Sequence, residues 1–187
     1  MFGEAHQGRQ SPFKPYTLVP EREKGKIMKI AYTINDDGKT CTVTRNGLLG
    51  LCLFKGPVLD LQLDGSVLNI PSEIDGYKVT GIGDLAFFNC GHITGVTIPE
   101  GVTIIGHRAF AGCNSLKSIT IPTSVRWIGM WAFYGCENLL SVVIPESVIS
   151  IGYDAFRGCT GLKNITVPKG VAGSDFAFYG CVDLTII

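Results

Sequence analysis

Residues 116–138, LKSITIPTSVRWIGMWAFYGCEN, carry the plan from which the rest of the chain can be read. The opening LKSITI ends in apolar–polar alternation, which suits a short strand with Leu116, Ile119 and Ile121 turned inward. Pro122 stops that strand, because it has no N–H to give to a ladder. Val125 and Ile128 form a second inward pair on another extended stretch, and Gly129 turns the chain. Ala132 and Phe133 then fall on a short helical turn, with Cys136 one turn further along. Gly135, just before the cysteine, suits the left-handed backbone that a helix C-terminus often requires.

Each of these marks recurs with one period. Ile98-Pro99, Ile121-Pro122, Ile144-Pro145 and Val167-Pro168 follow one another at intervals of 23 residues. Ala86-Phe87, Ala109-Phe110, Ala132-Phe133 and Ala155-Phe156 keep the same step, and Ala177-Phe178 arrives one residue early. Cys90, Cys113, Cys136, Cys159 and Cys181 keep time with both, each preceded by Asn89, Gly112, Gly135, Gly158 or Gly180. A unit this short cannot enclose its own apolar face, so it must stack on its neighbours around one continuous core. The expectation is a parallel sheet of five rungs, about 24 Å long at about 4.8 Å per strand.

The pattern L-x-x-I-x-I-P…V-x-x-I-G-x-x-A-F-x-G-C resembles the BspA-type leucine-rich repeats of bacterial surface proteins, over about residues 70–187. Ile70-Pro71-Ser72-Glu73-Ile74-Asp75-Gly76-Tyr77-Lys78-Val79 resembles the opening unit of such an array. The resemblance implies a curved solenoid used for binding and adhesion at the cell surface, and no catalytic residues to carry over. The expected fold class is an α/β repeat: a leucine-rich-repeat solenoid with a parallel β-sheet and short helical turns, preceded by an N-terminal β-hairpin cap.

The organisation expected around the array has three parts. Residues 1–26, polar and rich in Gly, Pro, Glu and Lys, read as a flexible tail. Residues 27–69 read as a β cap, in which Ile30–Ile34 and Thr40–Thr44 flank an Asp36-Asp37-Gly38 turn and Val58–Leu63 is a further strand. Residues 70–187 hold about five rungs, the last incomplete, since Leu184–Ile187 stops within a strand. An uncapped rung exposes ladder groups, so Ile187 is expected either to pair with another chain, through self-association, or to mark a truncation. Met1–Lys26 contains no apolar stretch of secretory type, which points to the cytoplasm or to a piece of a longer chain.

Composition excludes several classes of function. The 45% hydrophobic content can offset the entropy of ordering, so the chain is not disordered as a whole. Sixteen basic and sixteen acidic residues cancel, removing the electrostatic case for nucleic acid or an anionic membrane. No run of about 18 apolar residues exists for a membrane-spanning helix, so membrane insertion is not expected.

The constellations that suggest chemistry dissolve into the repeat. Gly81-Ile82-Gly83-Asp84-Leu85-Ala86 matches a dinucleotide fingerprint, but Gly83 and Ala86 are the repeat glycine and alanine, and no crossover unit of about 30 residues surrounds them. The seven cysteines contain no C-x-x-C pair for zinc. Cysteines equivalent by the repeat carry parallel Cβ vectors, a poor geometry for bridging, so a column of buried reduced thiols is expected. His6, His92 and His107 stand at different phases and complete no Ser-His-Asp or Cys-His set. Asn164-Ile165-Thr166, a glycosylation sequon on a predicted strand, is read as a chance match. A polysaccharide-cleaving solenoid would need grouped carboxylates, yet the outward strand positions Thr94, Gly95, Thr97, Lys117, Ser118, Thr120, Leu140, Ser141, Val143, Lys163, Asn164 and Thr166 include no acid. No catalytic residue, metal or cofactor is expected.

Two surfaces remain as candidates for a protein or glycan partner. On the predicted sheet, Leu140 and Val143 form an apolar patch flanked by Lys117 and Lys163. At the variable positions before each Ala-Phe, Trp127 shares a column with Ile104, Met130 and Tyr153 share one with His107, and Trp131 shares one with Arg108 and Asp154. Trp127, Met130, Trp131 and Tyr153, if exposed, would make one aromatic cluster of the kind that marks interfaces. The competing reading is a structural spacer or capping segment of a larger surface protein.

Overall fold

The computed structural model describes residues 17–23, 26–44, 67–181 and 185–186. The chain enters through β1 (Thr17–Glu23), β2 (Lys26–Ile34) and β3 (Thr40–Thr44), successive antiparallel partners. The composition assigns Thr17–Glu23 to a tail, but here those residues pair with β2 along their whole length. The β2–β3 turn is held by Asp37, whose carboxylate accepts the N–H groups of Lys39 and Thr40 at 2.8 and 2.9 Å, the local bonding that makes aspartate a turn residue. The candidate strand 58–63 lies outside the described residues.

From residue 67 onward the 23-residue period governs the backbone. β4 (Val67–Asn69), β7 (Gly95–Thr97), β9 (Ser118–Thr120), β11 (Ser141–Val143), β13 (Asn164–Thr166) and β14 (Thr185–Ile186) line up in that order as a parallel six-stranded sheet. β6 (Tyr77–Ile82), β8 (Ile104–Ile105), β10 (Trp127–Ile128) and β12 (Ser150–Ile151) make a second parallel run, with β5 (Glu73–Ile74) antiparallel to β6. β3 joins this run beside β6, so β1–β3 extend it to eight strands. The single sheet expected from the sequence is therefore two. After Val125, whose amide bonds back to Pro122, the stretch through Ile128 bonds the neighbouring rung, as in Arg126 N–H to the Thr103 carbonyl at 2.8 Å and Gly129 N–H to the Ile105 carbonyl at 2.7 Å.

The expected helical turns are also corrected. Among the described residues the one α-helix is α1 (Ser174–Ala177). Around Ala132-Phe133 the amides alternate in direction. Ala132, Tyr134 and Cys136 donate three residues back within the turn, to Gly129, Trp131 and Phe133, while Phe133 and Gly135 donate across to Ala155 and Arg157 on the next rung at 2.7 and 2.8 Å. Half of the amides thus belong to inter-rung bonding, so the i to i−4 ladder of an α-helix does not form. The array is a β-solenoid of strands and turns.

The turns need left-handed backbone at two places per rung. Asn89, Gly112, Gly135, Gly158 and Gly180 have φ of 59, 75, 68, 75 and 77°, as their place before each cysteine anticipates. Leu85, Arg108, Trp131 and Asp154 form a second left-handed column, with φ of 58, 51, 54 and 56°. No glycine marks this column, so its left-handed backbone carries no signal in the sequence. Gly129 serves close approach instead: a Cβ there would lie 2.6 Å from the Gly106 carbonyl carbon and 2.7 Å from the His107 nitrogen. Gly83 holds the same place on its rung, so the G-x-G-x-x-A match is a stacking feature.

Inside, like positions form files. Phe87, Phe110, Phe133, Phe156 and Phe178 stack ring on ring with centroids 5.0–5.5 Å apart and interplanar angles of 3–19°. Leu116, Leu139 and Leu162 line another file, fully buried. Each repeat cysteine beyond Cys90 gives its thiol hydrogen to the phenylalanine carbonyl of the preceding rung: Cys113 to Phe87, Cys136 to Phe110, Cys159 to Phe133 and Cys181 to Phe156, at 3.1–3.3 Å. The thiol column therefore exists from Cys113 to Cys181. Cys90 departs from it and is disulfide-bonded. Cys113, Cys136, Cys159, Cys181 and Cys41 are all free, so that bridge does not run along the column.

Candidate binding surfaces

The candidate residues divide between the two sheets. Lys117, Leu140, Val143 and Lys163 stand on the six-stranded side, all exposed, with Leu140 at 57% and Val143 at 64%. Trp127 lies in β10 on the other side, paired in register with Ile104 of β8 and Ser150 of β12. Met130, Trp131 and Tyr153 occupy the turns that follow. They are therefore two surfaces.

On the eight-stranded side, the rung-to-rung bonds set the columns. Arg108 donates to Met130 and Trp131 to Tyr153, and Asp154 donates to Phe176, so His107, Met130, Tyr153 and Phe176 follow one another along the array. His107 Nδ1 accepts the Met130 N–H at 3.1 Å, and Asp84 Oδ1 accepts the His107 N–H at 2.7 Å. These two bonds tie the turns of adjacent rungs. Tyr153 is 52% exposed and stacks on Phe176, which is 61% exposed, at 6.0 Å. Met130 and Trp131 are half-buried, and the Arg108 guanidinium lies 4.6 Å over the Trp131 ring. The cluster thus has Trp127 and Tyr153 as its open members, with Met130 and Trp131 folded partly under neighbours.

The surface runs further than the sequence reading places it. Phe176, Tyr179, Tyr134 and Ile149 are all exposed. The Ala111, Tyr134, Arg157 column is set by Gly112 donating to Tyr134 and Gly135 donating to Arg157. The period would have found Tyr134 and Tyr179, because each follows the repeat phenylalanine. Arg157 lies 5.1 Å over the Tyr179 ring and pairs with Asp154 Oδ2 at 3.1 Å. That pair raises the guanidinium pKa above its ordinary value, through the hydrogen bond first and the charge of Asp154 second. Asp154 is buried, and its Oδ1 has no hydrogen-bond partner.

The thiols are shifted by burial. Burial pushes Cys113 up to about 12 and Cys181 up to about 11. Cys41, on β3, is likewise raised to about 11 by burial. Thiols held protonated are poor nucleophiles and poor metal ligands. Among the described residues no group of three or more His, Cys, Asp or Glu side chains could hold a metal ion.

Rungs of two parallel strands, stacked in register with variable side chains on the outside, define a leucine-rich-repeat solenoid. The chain belongs to the BspA-type leucine-rich repeat proteins: residues 80–187 match the family described as a BspA type leucine rich repeat region, in six copies. It is similar to a crystallised leucine-rich repeat protein of T. pallidum, at 30% identity and a TM-score of 0.69 over 84% of this chain and 67% of that one. It is also similar to a leucine-rich cell surface protein of Faecalibacterium prausnitzii, at 28% identity and TM-score 0.67 over 87% of this chain and 38% of that one. A third likeness is to the pneumococcal vaccine antigen PcpA, at 25% identity and TM-score 0.58 over 65% of this chain and 30% of that one. This chain thus spans well under half of the last two. No curated protein matches it. The family and these neighbours are repeat proteins, and no catalytic family is indicated.

Proposed function

We propose that this chain is a non-catalytic binding module that seats a protein partner on the aromatic ridge of its eight-stranded side. One observation carries the reading: Ile104 and Trp127 pair in register on adjacent rungs, Tyr153 stacks on Phe176, and these four with Ile149 and Tyr179 are from 43% to 68% exposed. A run of large exposed apolar side chains along one side is the composition of an interface. Aromatic residues beside arginines are the side chains that dominate interface energies. Arg108 over Trp131 and Arg157 over Tyr179 hold part of this surface in place beforehand, which lowers the ordering cost of binding. Relatives named as surface proteins and antigens support a cell-surface setting. The Cys90 disulfide supports an oxidising one. In this reading β1–β3, bonded to β6, cap one end of the array.

The test compares the full chain with Trp127→Ala/Tyr153→Ala, both as bait for proteins released from cell surfaces. A partner retained by the parent and lost by the variant, with the unfolding midpoint unchanged, supports the ridge. An identical set of captured proteins on both baits would remove it and leave the spacer reading.

A further inference from the structure

Two side chains on the eight-stranded side reach from one rung to an amide of the next. Asp84 Oδ1 accepts the His107 N–H at 2.7 Å, and His107 Nδ1 accepts the Met130 N–H at 3.1 Å. The two acceptors differ in kind. An ionised carboxylate only accepts, whereas an imidazole nitrogen accepts only while the ring is neutral, because the imidazolium has two donors and no acceptor. The Met130 bond therefore requires His107 neutral, with its proton on Nε2.

Met130 is held through both of its backbone groups by one rung. Its N–H goes to the His107 ring, and its carbonyl accepts the Arg108 N–H at 3.0 Å. It stands between Trp127 and Trp131, the two tryptophans of the chain. The charged groups on the elements packed around His107 are Asp84 on the preceding turn, Arg108 beside it and Arg126 just ahead of β10. Asp84 is the one acid among residues 83–86, 106–109 and 129–132. His107 and Asp84 are both exposed, so a proton from solvent reaches the ring without unfolding the array.

We infer that His107 is a proton-operated catch on the aromatic ridge. Histidine is the side chain that ordinarily changes charge between about pH 5 and 8. Neutral, the ring holds the Met130 amide and with it the stretch from Trp127 to Trp131. Protonated, it would set an N–H against the Met130 N–H, so the bond is lost and the imidazolium turns back to the Asp84 carboxylate. Met130 then keeps only its carbonyl bond to Arg108, and the ridge loosens at its middle. The consequence, weaker seating of a partner as the medium turns acid, rests on the ridge reading; the catch itself does not.

NMR of the full chain, titrated from about pH 8 to pH 5, tests the catch. The Met130 amide should shift with the midpoint of the His107 ring. Its exchange protection, corrected for the intrinsic rate, should fall about fivefold, the scale of one hydrogen bond. His107→Asn offers an amide oxygen that accepts without titrating, and should keep Met130 protected at both limits. His107→Ala should show the low protection throughout. A Met130 amide that ignores the His107 titration, one that still responds in His107→Asn, or full protection in His107→Ala overturns the catch. A partner lost by Trp127→Ala/Tyr153→Ala should leave the parent at the acid limit and stay on His107→Asn; equal retention by both overturns the link to binding. Retention of every partner by Trp127→Ala/Tyr153→Ala would sink the ridge and with it that link, and the Met130 measurement decides the catch separately.

Discussion

The rings of Phe110 and Phe133 lie 5.5 Å apart and within 3° of parallel, although 23 residues separate them in the chain. That relation is the repeat expressed as packing, because each rung places its phenylalanine on the one before.

Phe133 touches rings on both sides, at 5.5 Å to Phe110 and 5.0 Å to Phe156, and is fully buried. Phe133→Ala breaks the file at its middle and is expected to cost about 3–5 kcal/mol. Phe133→Leu should cost less, since it keeps most of the volume. Urea unfolding of the three proteins gives the order.

Two glycines separate close approach from backbone angle. Gly129→Ala drives a Cβ into the backbone of Gly106 and His107, and is expected to destabilise by about 3 kcal/mol, the upper part of the overpacking range. Gly135→Ala meets nothing within 4 Å and suffers only its φ of +68°, a penalty of about 1–2 kcal/mol. Equal effects in thermal melts would refute the distinction.

Asp154 is 2% exposed and depends on Arg157 for its charge partner. Arg157→Gln should lower the melting temperature by stranding that carboxylate. Arg157→Gln/Asp154→Asn should recover part of the loss, and a double variant no better than the single would show that the pair does not carry the effect.

Stability should decline at both ends of the pH scale. Thiols whose folded pKa is raised, such as Cys113 at about 12, keep the unfolded state the stronger acid. Their contribution is whole below the unfolded value near 9 and is lost as pH climbs from there toward 12. Burial lowers the pKa of His92, so its contribution is whole above about 6.5 and is lost as pH falls below that. Denaturant midpoints from pH 5 to 11 should peak between about 6.5 and 9. A thiol reagent should leave Cys113, Cys136 and Cys159, all buried, unmodified until the chain unfolds. Rapid labelling of the folded protein would contradict the buried column.

Much of this was legible beforehand because a period needs no tertiary information. Three markers in phase place Phe133 over Phe110, put Gly135 in left-handed backbone and align Trp127 with Ile104. The sequence alone therefore determined a stacked array, its inward files and the columns from which any surface is built. What it could not determine is direction. A turn amide can bond its own rung or the next, and only the packed neighbours settled that Phe133 donates to Ala155, which turns expected helical turns into β-solenoid corners and one sheet into two. The same choice put Leu140 and Trp127 beside different sheets and left Asp154, an ordinary surface residue by composition, buried against Arg157. Side-chain exposure depends on what stands on the adjacent rungs, and a one-dimensional pattern does not contain it.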